Sequence, residues 1–568
     1  MFEAARSRIS NAQPQLVREI KGRWQGRNLG VAVATSLLGQ LLIYLGFKVE
    51  LPSTSSRTNR YCIGNPPLDE LSPSQFHNPP NHYCLEDTAG NLVINWQLWW
   101  LNLFTWLTIF SLFVLLVAGT YLLISDLSKE EQRGTLNFVR LSPRSVTNIL
   151  AGKLLGVPIL VYTVILLAFP LHLTAGLAAG IPVGLLGGLY LVVIASCAFF
   201  YSLALLWGLV TTGLGNFQVW LGTGVVFFFL LMMTKAGIVN VLVNENPFDW
   251  LALFYPGRIL PYLIGETPHS LDTISYFNLK EAIGLKWYGL PIWNNAYGAI
   301  ALLIINYAWW TSWVWEGLQR RFRNPHATLL SKERSYWLTG SITVSLLGFM
   351  APYANGTYNL RENFQIFLGL ELVVFLLLIV ALSPHRQTLQ DWARYRHQKQ
   401  DQATRNLLLD LVKGEQSPAN GAIALNLLSN LLIITPALIL FPLGGIRFTI
   451  FATVLLTSSA FLMYACLAQL LLLMKTPKRS LFAIVTISSV MFLPTVLGGM
   501  LQIPAVVTVA FFPIAGSLGF SATSVFLTLL AQWVMIIGCS LQLTRQLKEA
   551  GESSTKALFS EQKVISRT

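Results

Sequence analysis

The chain has 568 residues, 54% hydrophobic and only 11% charged, with a formal net charge of +13. A soluble chain needs about 25% charged residues to cover its surface, so most of this surface must face something other than water. The positive balance does not mark a nucleic-acid binder, because Lys and Arg sit in short gaps beside apolar runs, a pattern that sets membrane topology.

Residues 1–27 are polar and basic. Within them, Pro14 to Trp24 reads as an amphipathic helix. Leu16, Val17, Ile20 and Trp24 fall on one face and Arg18, Glu19, Lys21 and Arg23 on the other. Such a helix suits the headgroup plane of a bilayer. The run 28–47 is too long for the apolar core of a signal peptide and has no small-residue cleavage site behind it, so it is expected to remain as the first span. Eleven more spans are expected at 98–124, 149–175, 182–210, 218–233, 293–315, 337–355, 362–383, 421–442, 449–474, 481–499 and 522–543. The stretch 504–518 is short, contains Pro504 and Pro513, and reads as a re-entrant hairpin. The fold class is therefore all-α: a polytopic membrane protein with about twelve transmembrane helices in two six-span halves.

With the N-terminus placed in the cytoplasm, 29 Lys and Arg residues fall on the inside and nine on the outside. That threefold bias orients both termini to the cytoplasm, leaving 551–568 as a cytoplasmic tail. The outside loop 48–97 holds Cys62 and Cys84, while Cys197, Cys466 and Cys539 lie in spans. Two cysteines in one non-cytoplasmic loop read as a structural disulfide.

Between the second and third spans the chain reads Glu130-Glu131-Gln132-Arg133-Gly134-Thr135-Leu136. An apolar turn, Ser142-Pro143 and Gly152-Lys153-Leu154-Leu155 follow. Here the chain resembles the type-2 permeases of ATP-binding-cassette exporters. The resemblance implies a coupling loop at 126–145 with a short coupling helix at about 128–141, seated in a cleft of a separate ATPase subunit. Glu130, Glu131 and Arg133 would offer charge to that partner, Gly134 and Thr135 belong to the motif, and Leu136, Phe138 and Val139 would offer apolar surface. It also implies an N-terminal permease unit over 1–330 and a degenerate second unit over 331–550. Glu415 to Leu428 aligns loosely with the first loop but lacks the Arg-Gly-Thr-Leu core. A fused pseudo-dimer would explain the duplication, and room remains for an additional permease or accessory subunit.

No Gly-x-x-x-x-Gly-Lys-Ser/Thr occurs in the sequence, so ATP is expected to be bound by the partner, and the chain is expected to be neither an enzyme nor the holder of a cofactor or metal. Its other partners would be membrane lipids, and its home a bacterial plasma membrane. Glu371 is the acid nearest the middle of a span, where a charge costs about 3 kcal/mol on insertion scales. It is therefore paired, neutral or facing a cavity. Gln40, Asn306, Asn426, Asn430, Gln469 and Gln532 read as glue between helices. Two other functions compete: a secondary transporter with a duplicated twelve-span fold, and a membrane-embedded lipid-modifying enzyme.

Overall fold

Inside a bilayer every backbone N–H and C=O must find a partner within the protein, which favours helices over open strands. The computed structural model follows that rule. It describes residues 13–53, 58–64, 82–238, 246–269, 285–350, 357–398, 407–441, 443–476, 478–501, 511–515 and 521–565. Among them, the only sheet is a two-residue pairing of β1 (Thr58–Asn59) with β2 (His82–Tyr83). Beside it Cys62 and Cys84 form the expected disulfide.

The chain divides into two compact units. The first comprises residues up to 323, apart from 245–247 and 287–289, which join the second. In the first unit α1 (Pro14–Arg23) is the N-terminal amphipathic helix and α2 (Gly26–Val49) the first long apolar one. Next, α3 (Trp96–Gln132) is capped by the Asn95 side chain, which accepts from Leu98 N at 3.0 Å. A π-helical segment, Val114–Ala118, interrupts α3. There follow α4 (Thr135–Arg140), α5 (Val146–Gly156), α6 (Ile159–Ala178), α7 (Val183–Val210), α8 (Phe217–Ile238) and α9 (Ala296–Arg323). The core of the unit forms where α7 packs on α9 and where α3 packs on α6 and α7.

The second unit contains α10 (Lys332–Met350), α11 (Thr357–Leu382), α12 (Arg386–Gln398) and α13 (Leu407–Lys413). It continues with α14 (Asn420–Leu440), α15 (Arg447–Leu472), α16 (Arg479–Leu501) and α17 (Ala522–Ile565). Here α15 is central, packed against α14, α16 and α17.

Ten helices among the described residues are long and apolar enough to cross a membrane. Within the expected spans 293–315 and 337–355, residues 296–315 and 337–350 lie in helices, α9 and α10, but neither helix is among the ten, and 351–355 lie outside the described residues. Lys332, Glu333 and Arg334 at the start of α10, and Asn306 with the Trp and Tyr residues of α9, make these helices less apolar. The expected third span, 149–175, is not one helix: it breaks at Val157-Pro158 into α5 and α6, because Pro158 has no N–H to continue the helical ladder. Most of the hairpin expected at 504–518 lies outside the described residues; within it, Pro513–Ala515 forms a single 3-10 turn.

Polar residues inside the helices mostly join them, as expected. Asn306 donates to Leu253 O at 3.2 Å and Asn426 to Ser335 Oγ at 2.9 Å. Glu371 is fully buried. It accepts from Thr343 Oγ1 of α10 at 2.8 Å and from Asn430 Nδ2 of α14 at 3.0 Å, so one carboxyl ties three helices.

Candidate functional site

The 126–155 segment is built on a close approach between α1 and α5. Gly152 and Gly156 stand one turn apart on α5, and the small-xxx-small spacing lets another helix come near. A Cβ at Gly152 would lie 2.9 Å from Leu16 N, and one at Gly156 would lie 2.6 Å from Glu19 Cβ. Only glycine admits α1 at that distance. Docking this way turns Glu19 inward, so it is the buried residue of α1, while Arg18 and Lys21 stay exposed. Leu16 and Ile20 are half-buried and Trp24 is half-exposed at the C-cap. The helix expected to lie on the membrane with Glu19 on its outer face is thus also docked on α5 through that residue.

Burying Glu19 requires a partner, and Lys153 supplies it. Lys153 is 0% exposed, and its Nζ lies 2.6 Å from Asp126 Oδ2, 2.9 Å from Glu130 Oε1 and 3.5 Å from Glu19 Oε1. Arg23 closes the network by pairing with Glu19 and Asp126. Arg18 sits 3.9 Å from Glu130 at its solvent edge. Burial draws the Lys153 ammonium down, but Asp126, Glu130 and Glu19 more than offset it, and its pKa lies above the usual lysine value. The balance is the same for Arg23, lowered by burial and raised further by Asp126 and Glu19. The carboxylates of Glu19, Asp126 and Glu130 approach one another closely enough to ligate a metal ion. Lys153 Nζ already supplies the positive charge between them, so the arrangement is a lysine cradle.

The expected coupling helix at 128–141 is two pieces. Helix α3 continues as far as Gln132, and Gly134 then takes a left-handed φ of 68°, which glycine adopts without a Cβ penalty. That turn starts α4, whose first hydroxyl, Thr135 Oγ1, donates to Glu130 O at 3.2 Å. Leu136 and Val139 face inward, and the Arg140 guanidinium lies over the Phe322 ring at 5.9 Å. Burial lowers the Arg140 pKa, and Glu131 opposes that. Phe138 is 77% exposed and Leu141 83%, and Glu131, Arg133 and Arg144 of the same segment are exposed as well. Ser145 then caps α5 by accepting from Asn148 N at 3.3 Å.

The structure thus divides the residues the motif singled out. Glu130 belongs to the buried brace and Leu136 to the packing beneath α4, whereas Glu131, Arg133 and Phe138 are presented outward. The role of Lys153 as the hub was missed. Its signal was available: a lone lysine between Leu150 and Leu154, flanked by close-packing glycines, needs buried acids within reach. A second missed cluster, Thr108–His172–Tyr190, joins α3, α6 and α7 in the first unit. No protein-family profile, curated protein or solved structure matches the chain.

Proposed function

We propose that the chain is the transmembrane permease subunit of an ATP-driven exporter of the ATP-binding-cassette type, moved by a separate ATPase subunit that docks on the loop between α3 and α5. The observation that carries this reading is the outward pair Phe138 and Leu141. Two large apolar side chains, one on α4 and one at its C-cap, are exposed in a segment that also exposes Glu131, Arg133 and Arg144, and the helix before them is held by a buried ion network. Exposed apolar groups rimmed by polar ones suit a protein partner. In this reading the chain crosses a bacterial plasma membrane about twelve times in two six-span halves, with α9 and α10 among the spans and both termini cytoplasmic.

The test is affinity purification from the native membrane, followed by charge reversal at the tip. An ATPase should co-purify with the wild type. The double variant Glu131→Lys with Arg133→Glu should lose it and its transport-linked ATP hydrolysis while keeping its thermal unfolding profile, since both side chains are exposed. Retention of the ATPase by that variant, or no ATPase with the wild type, refutes the reading.

One observation favours a second reading. The buried Glu371, held by Thr343 and Asn430, is the kind of group through which a secondary transporter takes up a proton or cation. Transport that persists without an ATPase and fails in Glu371→Gln would select that alternative.

A further inference from the structure

Three helices of the second unit, each long and apolar enough to cross a membrane, have ends that meet: α11 finishes at Leu382, α15 at Leu472, and α16 starts at Arg479. The chain at those ends is basic. His385 and Arg386 follow α11, Lys475 and Lys478 follow α15, and Arg479 opens α16. Side-chain bonds hold the ends together. Arg386 Nε donates to Leu473 O at 2.9 Å. Arg479 Nη2 lies 2.9 Å from His385 Nε2, and because arginine can only donate, the imidazole accepts. His326 packs beside His385, with ring centroids 4.6 Å apart.

Elsewhere in the second unit cations find carboxylates: Arg394 pairs with Asp391, Arg396 with Asp410, Lys413 with Glu333 and Arg545 with Glu549. Among the described residues, none of Arg386, Lys475, Lys478 and Arg479 pairs with an acid. Lys475 and Lys478 are exposed, and Arg386 and Arg479 half-buried. Arg386 is fixed through Nε, which leaves Nη1 and Nη2 without a hydrogen bond among the described residues. Four like charges gathered at one set of helix ends repel one another, and a bound anion relieves that repulsion.

We infer that this cluster binds the phosphate group of an anionic lipid headgroup. Phosphate is the anion that a guanidinium grips with two parallel bonds, and lysines beside it add point charge. The source is lipid rather than free phosphate because of where the cations stand. Each of the four lies within four residues of the end of an apolar helix, at the level where headgroups begin. Basic pockets between spans at that level suit anionic headgroups. The acyl chains also have a bed: Leu481, Ile484 and Val485 share one face of α16 and are 56%, 62% and 54% exposed. This inference is independent of the exporter reading.

The experiment places the full chain in phosphatidylcholine nanodiscs with a trace of phosphatidylglycerol that carries a diazirine near its headgroup, photolyses it, and maps the label by mass spectrometry. Label should concentrate on residues 383–389, 473–476 and 478–485. Unlabelled phosphatidylglycerol should compete, whereas added phosphatidylcholine and millimolar inorganic phosphate should not. Lys475→Gln with Lys478→Gln removes two exposed cations whose side chains make no bond among the described residues. That variant should weaken labelling by at least about tenfold with an unchanged melting profile. Equal competition by phosphatidylcholine, or label spread evenly over other basic helix ends such as Arg320 to Arg323, overturns the inference. Displacement by inorganic phosphate as readily as by the lipid overturns it too, by showing a site for the free anion. These comparisons use the wild type and need no variant to fold.

Discussion

Replacing Lys153 with Met tests the brace beneath the loop most directly. The variant keeps the side-chain length and apolar stem but leaves Glu19, Asp126 and Glu130 facing one another, with oxygens within 4.8 Å. At that separation and an effective dielectric constant of about 20, two negative charges repel by about 3.5 kcal/mol. The protein can escape by protonating a carboxyl. From an ordinary pKa near 4 that costs about 4 kcal/mol at pH 7 and about 1.4 kcal/mol at pH 5. The deficit should therefore be about 4 kcal/mol at pH 7, in line with the cost of removing one partner from a buried ion pair. It should shrink by more than half at pH 5. The wild type has no such dependence through Lys153. Its folded pKa is raised, so its contribution is complete below the ordinary lysine value and is lost only as strongly alkaline pH passes the raised one. Tryptophan-fluorescence melting in nanodiscs at pH 5 and pH 7 reads the effect, at about 2 °C per kcal/mol. Adding Glu130→Gln should recover part of the loss at pH 7. A deficit below 1 kcal/mol, or one that is the same at both pH values, would show that Lys153 is not the hub.

Reducing the Cys62–Cys84 bond frees a loop of sequence separation 22 and should destabilise the first unit by about 3 kcal/mol. In intact cells, a membrane-impermeant maleimide should label these cysteines only after an impermeant reductant, if the loop faces outward; labelling confined to inverted vesicles would reverse the topology. Glu371→Gln should melt within about 1 kcal/mol of the wild type, because the amide oxygen still accepts. Glu371→Leu should cost about 1–3 kcal/mol by stranding the Asn430 amide, while Thr343 keeps its bond to Thr339 O, and melting of the two purified variants checks the ranking.

Composition and apolar run lengths were enough to read the helical membrane character, because the bilayer imposes one rule on every span. The break at Pro158 was also written in the sequence, yet the apolar character runs unbroken across it and hid the proline's effect. The motif located the loop but could not separate brace from tip, since Glu130 and Glu131 are chemically identical and differ only in which side of α3 they occupy. Glu19 was misread for a related reason. Helical periodicity sorts residues into faces but says nothing about what packs on the polar one. The Thr108–His172–Tyr190 relay had no linear signature, because its members lie 64 and 18 positions apart and meet only when three helices pack.

The second unit lacks Arg-Gly-Thr-Leu but repeats the physical ingredients of the first loop in another form. Lys332 is buried and donates to Leu411 O at 2.9 Å, Ser417 Oγ at 2.7 Å and Pro418 O at 3.0 Å. Burial pulls its pKa down to about 8, and Asp410 and Glu415 oppose that only in part. Tyr336 OH adds a bond to Val412 O at 2.6 Å, and Arg396 holds Asp410 at 2.7 Å. The short α13 is thereby pinned at its C-terminal end, and a seven-residue helix of this kind would not persist on its own. On it Leu408 is 78% exposed and Leu409 55%. An anchored lysine beneath a short helix with an outward apolar pair is the same construction that places Phe138 and Leu141. Under the exporter reading, this predicts that each unit carries its own docking surface. Leu408→Asp with Leu409→Asp should then lower the ATPase recovered per permease from two copies to one, without changing the melting profile. Native mass spectrometry of the purified complex counts the copies, and two copies retained in that variant would show that α13 serves some other surface.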